Sequence, residues 1–320
     1  MDKERYLPEG TFGATEHSLA TLEKARATGQ ILEAKAILCD SSHNLVVDLG
    51  DLRGVIPRGE AALGIREGTV KDIAILSRVN KSVCFKVTDL LRRDQVFHCC
   101  DRSESFRPGT LSDPVALLSR RAAQQQAQEE LLSRVRPGDV LDARITHLES
   151  FGAFADIGCG IVGLISIENI SVSRISHPSD RFVRDQAVKV VVKEIDREKK
   201  RFVLSHKELL GTWEENASRF EIGQTVCGVV RSVEEYGIFI ELAPNLAGLA
   251  EGREGVRPGQ QATVYIKNII PEKMKVKLSL IDAFDGERKE SLHYFFDQPH
   301  MDRFVYSPEG AYRQIETIFT

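Results

Sequence analysis

Short runs of alternating apolar and polar residues, separated by turns rich in glycine, proline and aspartate, occupy most of the chain. Alternation with a period of two is typical of strands that bury one face. In the middle of the chain, five such runs lie near 139–147, 151–158, 161–166, 187–195 and 201–206. Five strands in so short a segment predict a small closed barrel.

The same pattern repeats along the sequence. An offset of 85 residues places Phe151-Gly-Ala-Phe154 over Tyr236-Gly-Ile-Phe239. After eleven residues are lost from the later copy, the match resumes at an offset of 74, where Leu204 meets Leu278. A weaker copy lies upstream, from Gly29 to about Arg120. The sequence therefore predicts three barrels in tandem.

Helical segments are predicted around these barrels. They cover 15–28, 122–135 and 207–219, and a fourth begins at Ser307-Pro308 and continues to Phe319, with serine as cap and proline at the first position. The expected fold class is mainly β, with tandem five-stranded OB-fold barrels joined by short α-helical linkers. The predicted divisions are a helical segment (1–27), a degenerate barrel (28–121), a linker helix (122–135), a barrel (136–208), a linker helix with a shortened barrel (209–281) and a tail without an assigned role (282–320).

The second strand of the two later copies places aromatic rings on its outer face. If Ile238 and Ile240 face the barrel interior, Phe239 faces outward on the side of Glu241. Phe154 has the same phase in the earlier copy, beside Asp156. Exposed rings can stack on nucleobases, which contributes about 1–3 kcal/mol per base and tolerates any base.

A second ring precedes each of these strands, at Phe151 and Tyr236, and a glycine follows it. The glycine can bend the backbone so that both rings of a pair reach one surface. The alternative is that Phe151 and Tyr236 fill the end of the barrel as part of its core.

Charge and composition narrow the mode of binding. The net charge is −4 and the pI about 6.1. This charge disfavours nucleic-acid binding driven mainly by attraction to phosphate, but it permits binding by stacking of bases on aromatic rings. Residues 136–208 contain twelve Lys and Arg against eleven Asp and Glu, so we expect a shallow salt dependence.

No membrane span or signal peptide is expected, and six scattered cysteines are typical of a reducing cytoplasm rather than of a disulfide framework. The cluster His98-Cys99-Cys100 lacks the paired spacing of a zinc site, so no metal is expected. The sequence has no phosphate loop, nucleophile elbow or paired carboxylates, and it predicts neither an enzyme nor a cofactor nor a small-molecule substrate.

These motifs resemble the S-one (S1) RNA-binding domain family. The matching segments are Phe151-Gly-Ala-Phe154, Gly163–Ile167, Arg174–Asp180, Ile195–Glu198 and Arg201–Ser205. The segment Arg174–Asp180 resembles the ribosomal S-one protein family more than the S-one domains of nucleases. The resemblance is close over 114–281, looser over 28–113 and absent after 282.

The resemblance implies an RNA-facing surface on the two later copies. In the second copy it includes Phe151, Phe154, His177, Asp196 and Arg201, and in the third copy Tyr236, Phe239 and Lys275. His177 is equally compatible with capping a short helix before Pro178, and Arg201 with a solvated hairpin turn.

The three copies depart from the family pattern to different degrees. Ser166 stands where many members have histidine, the third copy lacks the loop that holds His177, and Ile270 replaces Asp196. The first copy aligns His43 and Val46 with the aromatic pair. We therefore expect the second copy to bind RNA best, the third less well, and the first to be a docking or structural barrel.

Two functional hypotheses follow. The first is a cytoplasmic protein of translation that binds single-stranded RNA, including mRNA, without sequence preference and associates with the small ribosomal subunit. In this hypothesis bases stack on the aromatic pairs while Arg201 and Lys275 contact phosphate. The alternative is a protein-interaction scaffold that docks on the ribosome or an RNA-processing complex through 1–113 or 282–320.

Overall fold

The computed structural model describes residues 6–11, 16–50, 52–91, 97–98, 105–106, 115–286 and 292–320. The chain forms two compact units. The first contains Met1–Arg134 and Asp156–Val162, and the second contains Val135–Ala155 and Gly163–Thr320. In the described part of the chain, no helix has the length and apolar character needed to cross a membrane.

The first unit begins with helix α1 (Leu19–Thr28), which Ser18 caps by accepting a hydrogen bond from the amide of Thr21. The chain then forms barrel 1. Its strands are β1 (Leu32–Cys39), β2 (Leu45–Asp48), β3 (Arg53–Ile56), β4 (Ser82–Leu91) and β7 (Val115–Ser119), with helix α2 (Ile73–Leu76) before β4 and the separate pair β5 (Phe97–His98) and β6 (Ser105–Phe106) after it. The five barrel strands pair in the order β1-β2-β3-β7-β4 and close into a barrel. Helix α3 (Arg120–Arg134) follows directly, over nearly the same residues as the linker helix predicted for 122–135.

Two further barrels repeat this topology, which confirms the predicted fold class. Barrel 2 contains β8 (Val140–Glu149), β9 (Gly152–Asp156), β10 (Val162–Ser166), β11 (Ala187–Asp196) and β12 (Arg201–Ser205). Barrel 3 contains β13 (Thr225–Glu234), β14 (Gly237–Ala243), β15 (Leu246–Ala250), β16 (Gln261–Ile270) and β17 (Lys275–Phe284). In both, the third and fifth strands pair in parallel while the other recorded pairings are antiparallel.

Two helix predictions were wrong. Residues 207–219 do not form one helix but a 3-10 turn (Lys207–Leu210) and the short helix α4 (Trp213–Ala217), because Gly211 adopts a positive φ of 86° between them. The segment after Ser307 forms no helix. It lies between two short paired strands, β18 (Arg303–Val305) and β19 (Glu316–Ile318). The Ser307 hydroxyl accepts a hydrogen bond from the amide of Ile315, closing a loop rather than capping a helix.

The C-terminal segment (residues 292–320) packs against both barrels of the second unit. The amide of Val140 in barrel 2 donates to the Pro299 carbonyl (2.9 Å), and Met301 donates to the Gly138 carbonyl (2.8 Å). The buried Tyr306 hydroxyl donates to the carbonyl of Asn245 in barrel 3 (2.6 Å). This segment, for which the sequence suggested no role, is therefore part of the core of the second unit.

Candidate nucleic-acid interface

A glycine positions each aromatic pair at the start of the second strand. A Cβ on Gly152 would overlap the carbonyl oxygen of Ile165, and a Cβ on Gly237 would lie 2.5 Å from that of Ala250. Only glycine therefore lets β9 and β14 approach their neighbouring strands this closely.

The two pairs have the same geometry. The ring centroids of Phe151 and Phe154 are 6.0 Å apart with planes at 88°, and those of Tyr236 and Phe239 are 6.1 Å apart at 87°. These are edge-to-face arrangements, in which the two rings present perpendicular surfaces.

All four rings face outward. Phe151 is 54% exposed and Tyr236 70% exposed, so the alternative in which they fill the barrel end is wrong. Phe154 and Phe239 are half-buried, whereas their strand neighbours Ala153 and Ile238 are fully buried in the barrels, as the alternation predicted.

The carboxylate next to Phe239, in contrast, is not available to solvent. Glu241 is only 1% exposed, since Arg181 from the loop before β11 and Arg231 from β13 both pair with it. Burial would raise the pKa of Glu241, but its hydrogen bonds to the two guanidinium groups and their charges outweigh burial and lower it. Glu241 therefore links barrel 3 to the loop of barrel 2 that carries Arg181. It does not place an unpaired negative charge beside the aromatic pair.

The matching acid, Asp156, belongs to the first unit and is also buried. Its carboxylate accepts hydrogen bonds from the amides of Glu9, Gly158 and Gly160. Burial, followed by the charge of Glu9, raises the pKa of Asp156 to about 7. Arg120 pairs with Glu9 at 2.7 and 2.8 Å, and this pairing outweighs burial and lowers the pKa of Glu9.

His177 caps a 3-10 turn formed by Pro178–Asp180. Its Nδ1 accepts from the amide of Ser179 (3.1 Å), and Asp180 accepts from the amide of His177 (3.3 Å). These contacts match the interpretation in which His177 caps a short helical turn. The His177 ring is half-buried.

Asp196 and Arg201 face each other at the hairpin end of β11 and β12. Asp196 accepts from the amide of Lys199 (2.9 Å), and this hydrogen bond is the main cause that lowers the pKa of Asp196. Arg201 is exposed, and so is Lys275, which pairs with Ile270 at the equivalent hairpin of barrel 3.

The two positions of barrel 1 that are equivalent to the aromatic pair do not hold a pair of outward rings. Val46 takes the position of Phe154 and is 6% exposed, and His43 lies in a tight turn with a positive φ of 61°. Of these two side chains, only the half-buried His43 imidazole could stack on a base.

The strand pairing of barrel 3 adds residues that spacing along the sequence did not suggest. Phe239 pairs with Leu249, Leu249 with Lys277, and Lys277 with Asn268. Directly paired residues share a face of the sheet, so these four form one outward row across four strands. When the repeats are overlaid at an offset of 74, Lys277 falls on Val203. This exchange of an apolar residue for a cation is the signal in the sequence that could have drawn attention to Lys277.

Metal binding and disulfide formation have no support in the part of the chain that the structure describes. The described residues contain no group of three or more His, Cys, Asp or Glu side chains placed to hold a metal. Cys39, Cys84, Cys159 and Cys227 are not in disulfides. Cys99 and Cys100 of the predicted His/Cys cluster lie outside the described residues.

Comparison with known proteins defines the class first. Residues 134–207, which contain barrel 2, match the family model of the S1 RNA binding domain. Among solved structures, the chain is similar to a multidomain protein with nucleic acid binding domains from Streptococcus pneumoniae, with 12% identity, a TM-score of 0.25 and coverage of 79% of this chain and 73% of that one.

Longer matches then define the family. The chain is 32% identical over 289 residues to the small ribosomal subunit protein bS1 of Staphylococcus aureus strain COL, covering 85% of this chain and 67% of the relative. It is 34% identical over 308 residues to the bS1 homolog of Bacillus subtilis, covering 93% of this chain and 72% of the relative. The chain belongs to the bS1 family, which confirms the resemblance.

Proposed function

We propose that the chain binds single-stranded RNA in translation, as a cytoplasmic, non-catalytic protein of the bS1 family that includes mRNA among its ligands and associates with the small ribosomal subunit. The observation that carries this proposal is the matched geometry of two outward ring pairs, one in barrel 2 and one in barrel 3. The family membership and the S1 domain match support it.

In this proposal the aromatic pairs supply most of the affinity. Bases stack on Phe151 and Phe154 in barrel 2 and on Tyr236 and Phe239 in barrel 3, while Arg201 and Lys275 contact phosphate. Stacking reads only the flat face of a base, so sequence preference is weak. Two linked barrels bind one strand more tightly than either alone, because the second contact forms at a high effective concentration.

The test is the double substitution Phe151→Ala and Phe154→Ala, measured by fluorescence anisotropy with a labelled single-stranded oligouridylate. Two stacked bases at about 1–3 kcal/mol each predict a loss of at least tenfold in affinity. The matched control is Tyr312→Ala, which removes a ring that is 78% exposed in the C-terminal segment. Unchanged affinity in the double variant, with the control equal to the native chain, refutes the assigned surface.

Salt dependence provides a second test of the stacking account. We expect the slope of log affinity against log salt to be no steeper than about −4. A steeper slope means that phosphate attraction dominates and that stacking on the rings is not the main source of affinity.

The alternative hypothesis, a protein-interaction scaffold, has fewer side chains available in the C-terminal segment than the sequence suggested. Met301, Tyr306 and Phe319 of the C-terminal segment are buried within the second unit, so their side chains are not free to hold a partner. Because the buried Val46 offers no ring at the position of Phe154, we propose docking as the role of the first copy. This role predicts that residues 1–113 are needed for cosedimentation with small subunits after RNase treatment. Retention of cosedimentation without them contradicts it.

A further inference from the structure

The outward row of barrel 3 brings a cation close to the aromatic pair. Phe239 and Lys277 are separated by a single strand residue, Leu249, to which both are directly paired. Neighbouring strands lie about 4.8 Å apart, so the Cα atoms of Phe239 and Lys277 are roughly 10 Å apart. Lys277 is exposed and Leu249 is 36% exposed, which confirms that the row faces outward.

The equivalent row of barrel 2 has different chemistry. Leu164 pairs with Val203, and Val203 pairs with Glu194. The lysine of barrel 3 is thus replaced by valine, and Asn268 by an exposed glutamate.

The two surfaces differ in where their cations lie. In barrel 3 the hairpin and row contain Lys273, Lys275 and Lys277 against Glu272, a net charge of +2, and one of these lysines lies in the row itself. The hairpin and row of barrel 2 have a net charge of +1, from Arg197, Lys199, Lys200 and Arg201 against Glu194, Asp196 and Glu198, but its row contains no cation. Since a phosphate backbone is drawn to cations, the row of barrel 3 offers a phosphate contact beside the rings that the row of barrel 2 does not.

We propose that Lys277 is a phosphate contact beside Phe239, and that it gives barrel 3 a salt-dependent contribution to RNA binding for which the row of barrel 2, with Val203 at the equivalent position, has no counterpart. This inference rests on the proposed function and assigns a role to a residue outside the surface implied by the family resemblance. Asn268, next to Lys277 in the row, provides an amide that neither repels phosphate nor neutralises the lysine.

The experiment measures affinity for a single-stranded oligouridylate at salt concentrations between 50 and 200 mM, with Lys277→Gln in the full chain. Loss of one phosphate contact makes the slope shallower by about 0.7, so the ratio of native to variant affinity is ~2.6-fold larger at 50 mM than at 200 mM. The matched control is Arg257→Gln. Arg257 is exposed and lies before β16, where it pairs with Asp285 just after the last residue of β17. The control keeps the native slope.

A gain-of-function variant tests the same inference in barrel 2. Val203→Lys places a lysine in the row beside Leu164 and steepens the slope by about 0.7. A native slope in both Lys277→Gln and Val203→Lys overturns this inference.

Phe239→Ala separates the two proposals. If Phe239→Ala weakens binding while Lys277→Gln leaves the slope unchanged, the RNA surface stands and the role of Lys277 is refuted. If neither substitution changes affinity, the proposed surface of barrel 3 fails, and the role of Lys277 fails with it.

Discussion

Replacing Glu241 with glutamine removes the charge that holds two buried arginines between barrels 2 and 3. The Arg181 guanidinium donates to both carboxylate oxygens at 2.8 Å, and Arg231 donates to the same oxygens at 2.9 and 3.1 Å. The side chains of Arg181, Arg231 and Glu241 are 4%, 12% and 2% exposed. Glutamine fits the space, but it leaves Arg181 without its counter-charge and Arg231 with only Asp180, 3.5 Å away.

Loss of one member of a buried ion pair costs about 3–5 kcal/mol. Glutamine keeps one acceptor oxygen, so we expect the lower end, about 3 kcal/mol. For a unit of this size, each kcal/mol lowers the midpoint of thermal unfolding by about 2–4 °C. The predicted decrease in Tm is therefore roughly 6–12 °C.

The single tryptophan makes the assay specific. Trp213 is the only tryptophan of the chain and is buried in the second unit, so its fluorescence reports unfolding of that unit. The control is Glu251→Gln, whose carboxylate pairs with Lys267 at the surface and is 85% exposed. Exposed pairs contribute about 0–1 kcal/mol, so the control changes Tm by less than about 4 °C. A Glu241→Gln midpoint within 2 °C of the native one refutes the reasoning.

Two further predictions concern the same unit. Burial lowers the pKa of His206 to about 4. Between about pH 6.5 and pH 4, His206 therefore binds a proton in the unfolded chain but not in the folded one. The free energy of unfolding falls by about 3 kcal/mol as the pH drops through this range. In urea denaturation at pH 7.5 and 4.5, His206→Asn should lose less stability than the native chain, and an equal loss contradicts the assignment. Gly152→Ala forces a methyl group against the Ile165 carbonyl, so we expect the free energy of unfolding to fall by about 1–3 kcal/mol. Trp213 fluorescence during urea denaturation measures this loss. An unchanged free energy of unfolding would show that β9 can shift to make room for the methyl group.

The repeats made most of the fold predictable. A period of two determines which side chains enter a barrel, and the registered copies located all five strands of barrel 2 and the outward phase of Phe154 and Phe239. Local signals were less reliable where a distant contact decided the outcome. Ser307 and Pro308 match a helix start, but Ser307 bonds Ile315 instead, and Tyr306 is fixed by its bond to Asn245.

The polar part of the candidate site was harder to predict, for the same reason. Alternation places Glu241 on the outer face, but only the tertiary structure shows that Arg181 and Arg231 cover it. The position of Lys277 depends on a parallel pairing between β15 and β17, which no spacing along the sequence reveals. The RNA-binding roles of the eight sequence-derived residues stay predictions.

The C-terminal segment has a consequence for the order in which the protein is made. The backbone of Met301 bonds to Gly138, and Val140 bonds to Pro299, so the first strand of barrel 2 is completed by residues that are synthesised about 160 positions later. At a translation rate of about 5–20 residues per second, that strand waits for at least eight seconds without these partners. Barrel 1 has no such delay, because its last strand ends at Ser119. During synthesis, the nascent second unit therefore exposes apolar surface that Met301, Phe304, Tyr306 and Phe319 cover in the folded chain.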